Sequence, residues 1–260
     1  MILPRLKLSL KNPKFDLNTI VLFIPRKYMS DRIRTEDTGK IFERAGCLAF
    51  DTPYDGHYRY GEPPEHLVER LLPLLYNGPW KHCASGGCRY DFVNTNNEYL
   101  SFKTTKGTMK VAPQVIGQAS LPKFCEIIGM PFVSTEALKV HIRDNMNSIL
   151  SVFEEYTFDC PIVYYNEKTS KIKYIKQTGA IDWSQYDMSW SNEGLFNEEL
   201  NPTTGSPYKG STYGIQPSNG GRRIPICEIQ FHETRPNMAN RWSFENLLRM
   251  FPNCFEIIEL

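Results

Sequence analysis

The chain has 260 residues, 41% hydrophobic and 23% charged, with a mean hydropathy of −0.42, which suits a soluble globular protein with a full core. Apolar runs such as Ile20–Ile24 are too short to span a bilayer, Met1-Ile2-Leu3-Pro4-Arg5 lacks a signal-peptide core, and seven cysteines without a disulfide-like framework point to a reducing cytoplasm. A net charge of only +1 excludes a global basic field, so any nucleic-acid site must rest on local basic surface.

In chain order, residues 1–19 are basic and irregular, with Arg5, Lys7, Lys11 and Lys14, and Thr19–Ile24 reads as a strand closed by Pro25. Residues 30–44 are a polar approach into a helix whose apolar side is Ile33, Ile41, Phe42 and Leu48, and which carries the carboxylate of Glu43. Pro63-Pro64 introduces a second helix with a buried stripe of Leu67, Val68, Leu71, Leu72 and Leu75, kinked or shortened at Pro73. His82, Cys83 and Cys88 have no Cys-x-x-Cys partner to complete a structural zinc site, and Ser85-Gly86-Gly87 suits a tight backbone approach before Asp91.

The chain is organised around Tyr90–Gln118. Two short apolar runs, Tyr90–Val93 and Glu98–Thr104, flank Asn94-Thr95-Asn96-Asn97, the pattern of a β-hairpin. Asp91 falls on the first strand. On the second, Ser101 and Lys103 share one face while Leu100 and Phe102 turn to the core, because side chains alternate along a strand. A basic, hydroxylated turn with Lys106 and Lys110 follows, then Gln114 and Gln118.

Further on, Ser134 or Thr135 caps one long helix to about Tyr156, with Ile142, Met146, Ile149, Leu150 and Phe153 facing the core and His141 structural. Pro161–Tyr165 and Lys171–Lys176 pair as a hairpin. The stretch from about Asp187 to Arg223 is rich in Ser, Asn, Gly and Pro and reads as a long irregular loop. Ile226–His232 alternates as a half-buried strand with Glu228, Gln230 and His232 on one face. Ser243 then caps a short helix, and Cys254–Leu260 closes as a strand.

Together, Thr38–Glu43 on a helix, Asp91, Ser101-Phe102-Lys103-Thr104, the Gln114/Gln118 segment, and Glu228–His232 before Asn240–Leu247 resemble the type II restriction endonucleases of the PD-(D/E)xK superfamily, especially the branch like the mismatch-repair nicking endonuclease. The resemblance covers roughly residues 30–118 and 224–260. It implies an α/β fold, a mixed central β-sheet flanked by helices, as a single nuclease domain over 1–260 with an inserted DNA-binding loop or lobe at about 157–223. It also implies Mg²⁺-dependent hydrolysis of double-stranded DNA at a specific site, leaving 5′-phosphate and 3′-hydroxyl.

By the same resemblance, Asp91 holds the metal, Lys103 is the catalytic lysine and Glu43 the supporting carboxylate. Ser101 stands where the family usually has Glu or Asp, so the second metal ligand falls to Glu43 or, ranked below it, Glu98. Gln114, Gln118, Gln230, His232 and Arg235 are candidates for base edges, and Lys106, Lys110, Arg222, Arg223 and Arg241 for phosphates. The partners implied are double-stranded DNA, a second copy of the chain as a homodimer, and a cognate DNA methyltransferase sharing the recognition site, all in the cytoplasm. Two alternatives stay open: a repair or nicking endonuclease of the same fold, and a non-catalytic nucleic-acid-binding protein whose site decayed at Ser101.

Overall fold

The computed structural model describes residues 35–83, 88–106, 110–192, 210–217, 225–232 and 236–260. The strand expected at Thr19–Ile24 and the Ser85-Gly86-Gly87 approach lie outside the described residues. Helix α1 (Thr35–Ala49) buries Phe42, Ala45 and Cys47, while Leu48, expected on its apolar side, is exposed. Helix α2 (Glu65–Leu71) stops at Pro73, which cannot donate to an α-helical ladder, and the chain tightens into a 3₁₀ turn at Leu72–Asn77. That change of pitch corrects the expected stripe: Leu74 turns inward, and Leu72 and Leu75 face solvent.

Strands β1 (Trp80–His82), β2 (Phe92–Asn94) and β3 (Tyr99–Thr105) form an antiparallel meander, β2 and β3 being the hairpin read from the sequence. Its turn places Asn97 at φ 59°, a left-handed conformation that asparagine tolerates. After β4 (Lys110–Val111) come α3 (Leu121–Ile127), α4 (Thr135–Asp144) and α5 (Met146–Phe158). One continuous helix was expected where α4 and α5 stand. Asn145 breaks it: its side-chain amide donates to the His141 carbonyl (2.8 Å), the acceptor its own backbone N–H would use in an unbroken helix.

Strand β5 (Ile162–Asn166) then returns parallel to β3, and β6 (Lys171–Gln177) pairs with β5 as the expected hairpin. Both fall within the stretch read as an inserted lobe, and both belong to the first sheet. The irregular loop expected from Asp187 contains two paired strands, β7 (Met188–Asn192) and β8 (Gly210–Pro217). A Ser- and Gly-rich composition hid them, because β7 pairs with β8 and β8 with β9 across stretches of chain longer than a tight turn. Next come β9 (Cys227–His232), β10 (Ala239–Ser243), α6 (Phe244–Met250) and β11 (Phe255–Glu259). Ser243 precedes α6 as expected, but its side chain makes no capping bond.

Among the described residues two sheets result, in the orders β1-β2-β3-β5-β6-β11 and β4-β10-β9-β8-β7. The first is mixed, with β3–β5 parallel and its other pairs antiparallel. The fold is therefore α/β with a mixed central sheet flanked by helices. Strand β5 is buried on both faces, as parallel pairing demands. Its Val163 and Tyr165 join Phe42, Phe50, Leu71, Phe92 and Phe102 in one core, and Ile162 and Tyr164 join Ile149, Phe153, Ile229 and Trp242 in another. Strand β3 thus lies inside the sheet, between β2 and β5.

Candidate active site

The close packing of α1 on the hairpin sets the site. Phe42 lies 4.9 Å from Phe102, ring centroid to centroid, and a Cβ on Gly46 would meet Phe102 at 2.7 Å and Phe92 at 2.9 Å. Only glycine allows that approach. It fixes Glu43, next to Phe42, beside the hairpin.

Asp91 sits one residue before β2, where the β2–β3 ladder ends. Its backbone N–H still donates to the Leu100 carbonyl (3.1 Å), and its side chain then continues the ladder. Asp91 Oδ2 accepts the Phe102 N–H at 2.6 Å and the Ser101 hydroxyl at 3.2 Å. Both bonds fall on one oxygen. Burial pushes the Asp91 carboxyl above the usual carboxylate range; the Lys103 ammonium opposes this, and the Glu43 carboxylate adds to it. Lys103 and Glu43 are therefore each within electrostatic reach of Asp91, one positive charge and one negative.

Ser101 is fully buried (0% exposed), and its Oγ also accepts from Gln114 Nε2. Gln114, a candidate base reader, is half-buried, and its backbone N–H is tied to the Tyr156 carbonyl at 2.7 Å. Glu98 is not brought to the site: its carboxylate accepts from Asn94 Nδ2 (2.6 Å) within the hairpin turn.

Two residues that the sequence reading did not assign complete the surroundings of Glu43. Tyr54 donates to Glu43 Oε2 at 3.3 Å, and His82 Nε2 lies 3.6 Å from the same oxygen. His82 is 1% exposed, and its ring stands 4.4 Å from Tyr54 and 5.0 Å from Phe92. The signal for His82 was its place in the alternating Trp80-Lys81-His82, one residue past an exposed Lys81, which marks an inward-facing strand position. Tyr54 carried no signal, since it lies in a loop without periodicity.

A divalent cation is what the resemblance implies here, and the donor set fits one. Among the described residues no group of three or more His, Cys, Asp or Glu side chains could cage a metal ion. Asp91 and Glu43 instead offer two carboxylates, each with one oxygen already tied, and burial disfavours the charge of Asp91. Mg²⁺ usually binds through one or two carboxylates, waters and substrate phosphate rather than in an all-protein cage.

The other candidate residues gather on the second sheet. Glu228 (8% exposed) is paired with Lys110 Nζ at 2.5 Å and Arg241 at 3.4 Å, joining β4, β9 and β10. Arg241, His232 and the exposed Gln118 line a cleft of about 260 Å³ with Pro236, Asn237, Met238 and Ala239. Gln230 is half-buried on β9, opposite Ala239. Lys106 ends the run after β3, while Arg222, Arg223 and Arg235 lie outside the described residues.

The mixed sheet, its flanking helices and the acid–lysine hairpin beneath a helix glutamate are compatible with a restriction-endonuclease-like fold. Over 227 residues, 86% of its length, the chain is 40% identical to the type II restriction enzyme CviAII of Paramecium bursaria Chlorella virus 1. It spans 62% of that relative's length. No family model and no solved structure matches it. Among the described residues no helix is long and apolar enough to cross a membrane.

Proposed function

We propose that this chain is a type II restriction endonuclease of the PD-(D/E)xK kind, cutting double-stranded DNA at a specific sequence with Mg²⁺. The observation that carries the reading is the pair of pre-tied carboxylates, Asp91 and Glu43, with Lys103 as the cation beside Asp91. The identity to a protein named as a type II restriction enzyme supports it.

In this reading Asp91 and Glu43 hold the metal, Asp91 being fixed by the Phe102 N–H and by the Ser101 hydroxyl that Gln114 supports. A bound Mg²⁺ polarises a phosphoryl oxygen and lowers the pKa of a coordinated water. The Lys103 ammonium stabilises the negative charge gathering on the phosphate as water oxygen bonds to phosphorus and the P–O3′ bond breaks. The 3′ oxygen takes up a proton as it leaves, so the products are a 5′-phosphate and a 3′-hydroxyl. Gln118 and His232 read base edges and the neighbouring Arg241 meets phosphate, with two copies of the chain addressing the two strands and a methyltransferase protecting the same site.

The test is a mixed-sequence plasmid incubated with the protein and Mg²⁺, followed by mapping of fragment ends. Discrete double-strand cuts that EDTA prevents are expected. Nicked circles alone would move the reading to a nicking enzyme, and DNA binding without any cut would overturn the catalytic reading.

A further inference from the structure

His82 is buried, yet its Nε2 has no hydrogen-bond partner among the described residues. Its proton position is nonetheless fixed. Nδ1 accepts the Asp55 backbone N–H at 2.8 Å, so in the neutral ring the proton must sit on Nε2, which stands 3.6 Å from Glu43 Oε2. A buried donor without an acceptor is unfavourable, and the nearest acceptor in view is a carboxylate proposed to hold a metal ion. Tyr54, stacked on the same imidazole, donates to the same Oε2. Both donors therefore converge on one oxygen and leave Oε1 of Glu43 for another partner.

We propose that His82, assisted by Tyr54, is a positioning residue that holds Glu43 by Oε2 so that Oε1 can take a divalent cation shared with Asp91. The ring is well placed for this. Strand register sets His82 across from Phe92, one residue from Asp91, and the Cys83 N–H donates to the Asp91 carbonyl at 3.0 Å. One segment, β1 and the residue after it, thus fixes both carboxylates: Glu43 through an imidazole and Asp91 through its backbone. Outer donors of this sort orient ligating carboxylates and typically carry about ten- to a hundredfold of metal affinity.

The proposal rests on the nuclease reading above, and its test separates the two. Mn²⁺ binding by the full chain is measured by electron paramagnetic resonance of free Mn²⁺, and plasmid cleavage is assayed over a range of Mn²⁺ concentrations, with circular dichroism to verify the fold. His82→Phe keeps a ring against Tyr54 and Phe92 but lacks the donor, His82→Leu is a smaller donor-free variant, and His82→Gln carries an amide N–H near the place of Nε2. The folded donor-free variants should bind Mn²⁺ about ten- to a hundredfold more weakly and regain cleavage at raised Mn²⁺, while His82→Gln stays within about threefold of wild type. Equal Mn²⁺ binding by wild type and a donor-free variant overturns the role of His82 alone, as does a folded His82→Gln that binds as weakly as His82→Leu. A wild-type chain that neither binds Mn²⁺ nor cuts DNA overturns the nuclease reading, and this proposal with it.

Discussion

The two sheets each hold a carboxylate beside cations, and they treat it in opposite ways. On the second sheet Glu228 is nearly buried and is met by Lys110 and Arg241, so its charge is more than matched. Beside the first sheet Glu43, on α1, pushes on Asp91, and Lys103 is the cation that offsets Asp91. A balanced cluster fastens strands together, whereas an unbalanced one stores a demand for positive charge that a ligand can meet. Residue types alone would not separate the two; the count of opposing charges around each carboxylate does.

The sharpest way to break this contrast is to remove the charges of the first sheet. Asp91→Ala and Lys103→Ala should each reduce plasmid cleavage roughly a thousandfold or more, with the circular dichroism spectrum unchanged. If either variant cuts at near the wild-type rate, the unbalanced cluster is not the active site. A second comparison sets Gln118 against Gln114. The exposed Gln118, in the cleft with His232 and Arg241, should cost ~1–3 kcal/mol of binding to the cognate duplex when changed to alanine and little on a scrambled one. Gln114→Ala, acting through Ser101, should leave the discrimination between duplexes intact; titrations on both at several salt concentrations distinguish the outcomes.

Smaller effects refine the roles within the site. Ser101→Ala removes one of the two bonds to Asp91 Oδ2 and leaves the Phe102 N–H in place, so cleavage should slow only about tenfold, while Glu43→Ala should be far more severe. The reverse order would shift the second metal-binding role to Ser101. The smallest effect expected is on stability. Because the folded state raises the Asp91 pKa, the fold binds more protons than the unfolded chain between the ordinary carboxylate value and the raised one. The Asp91 contribution to stability is then full below that window and is lost as pH rises through it. In EDTA at neutral pH, Asp91→Asn should thus melt higher than wild type, by about 2–4 °C per kcal/mol regained, and lose part of the pH slope. A lower melting point would show that the ionised carboxylate is stabilising without metal.

Legibility followed the range of the interactions. The hairpin carrying Asp91 and Lys103, the helix carrying Glu43, the β5–β6 pair, β9 and β11 were readable because alternation, helical spacing or turn residues announce them locally. Strand β4, only two residues long, has no periodicity to read, and it is a strand only because Lys110 and Val111 pair with Ser243 and Trp242. The break at Asn145 was hidden for a different reason: the apolar spacing runs through it from Ile142 to Ile149, and a single side-chain amide interrupts the helix. His82 was weighed as a zinc ligand because of its neighbouring cysteines. Its contact with Glu43 depends on α1 folding over the meander, which no local pattern encodes.

The parallel β3–β5 pair has a kinetic consequence. Ser101 is registered against Ile162, about sixty residues later, and the chain between them, which carries three helices, makes this a pairing of high closure entropy. The β2–β3 hairpin forms from near neighbours, so during synthesis it emerges well before its partner on the other side. A chain halted before residue 161 would carry Asp91, Lys103 and Glu43 while lacking the strand that backs them and the Pro161 carbonyl that receives the Ser101 N–H at 3.0 Å. In refolding from denaturant, hairpin and helix signals should therefore recover first and Mn²⁺ binding last. The order of assembly delays the site until the surrounding body exists.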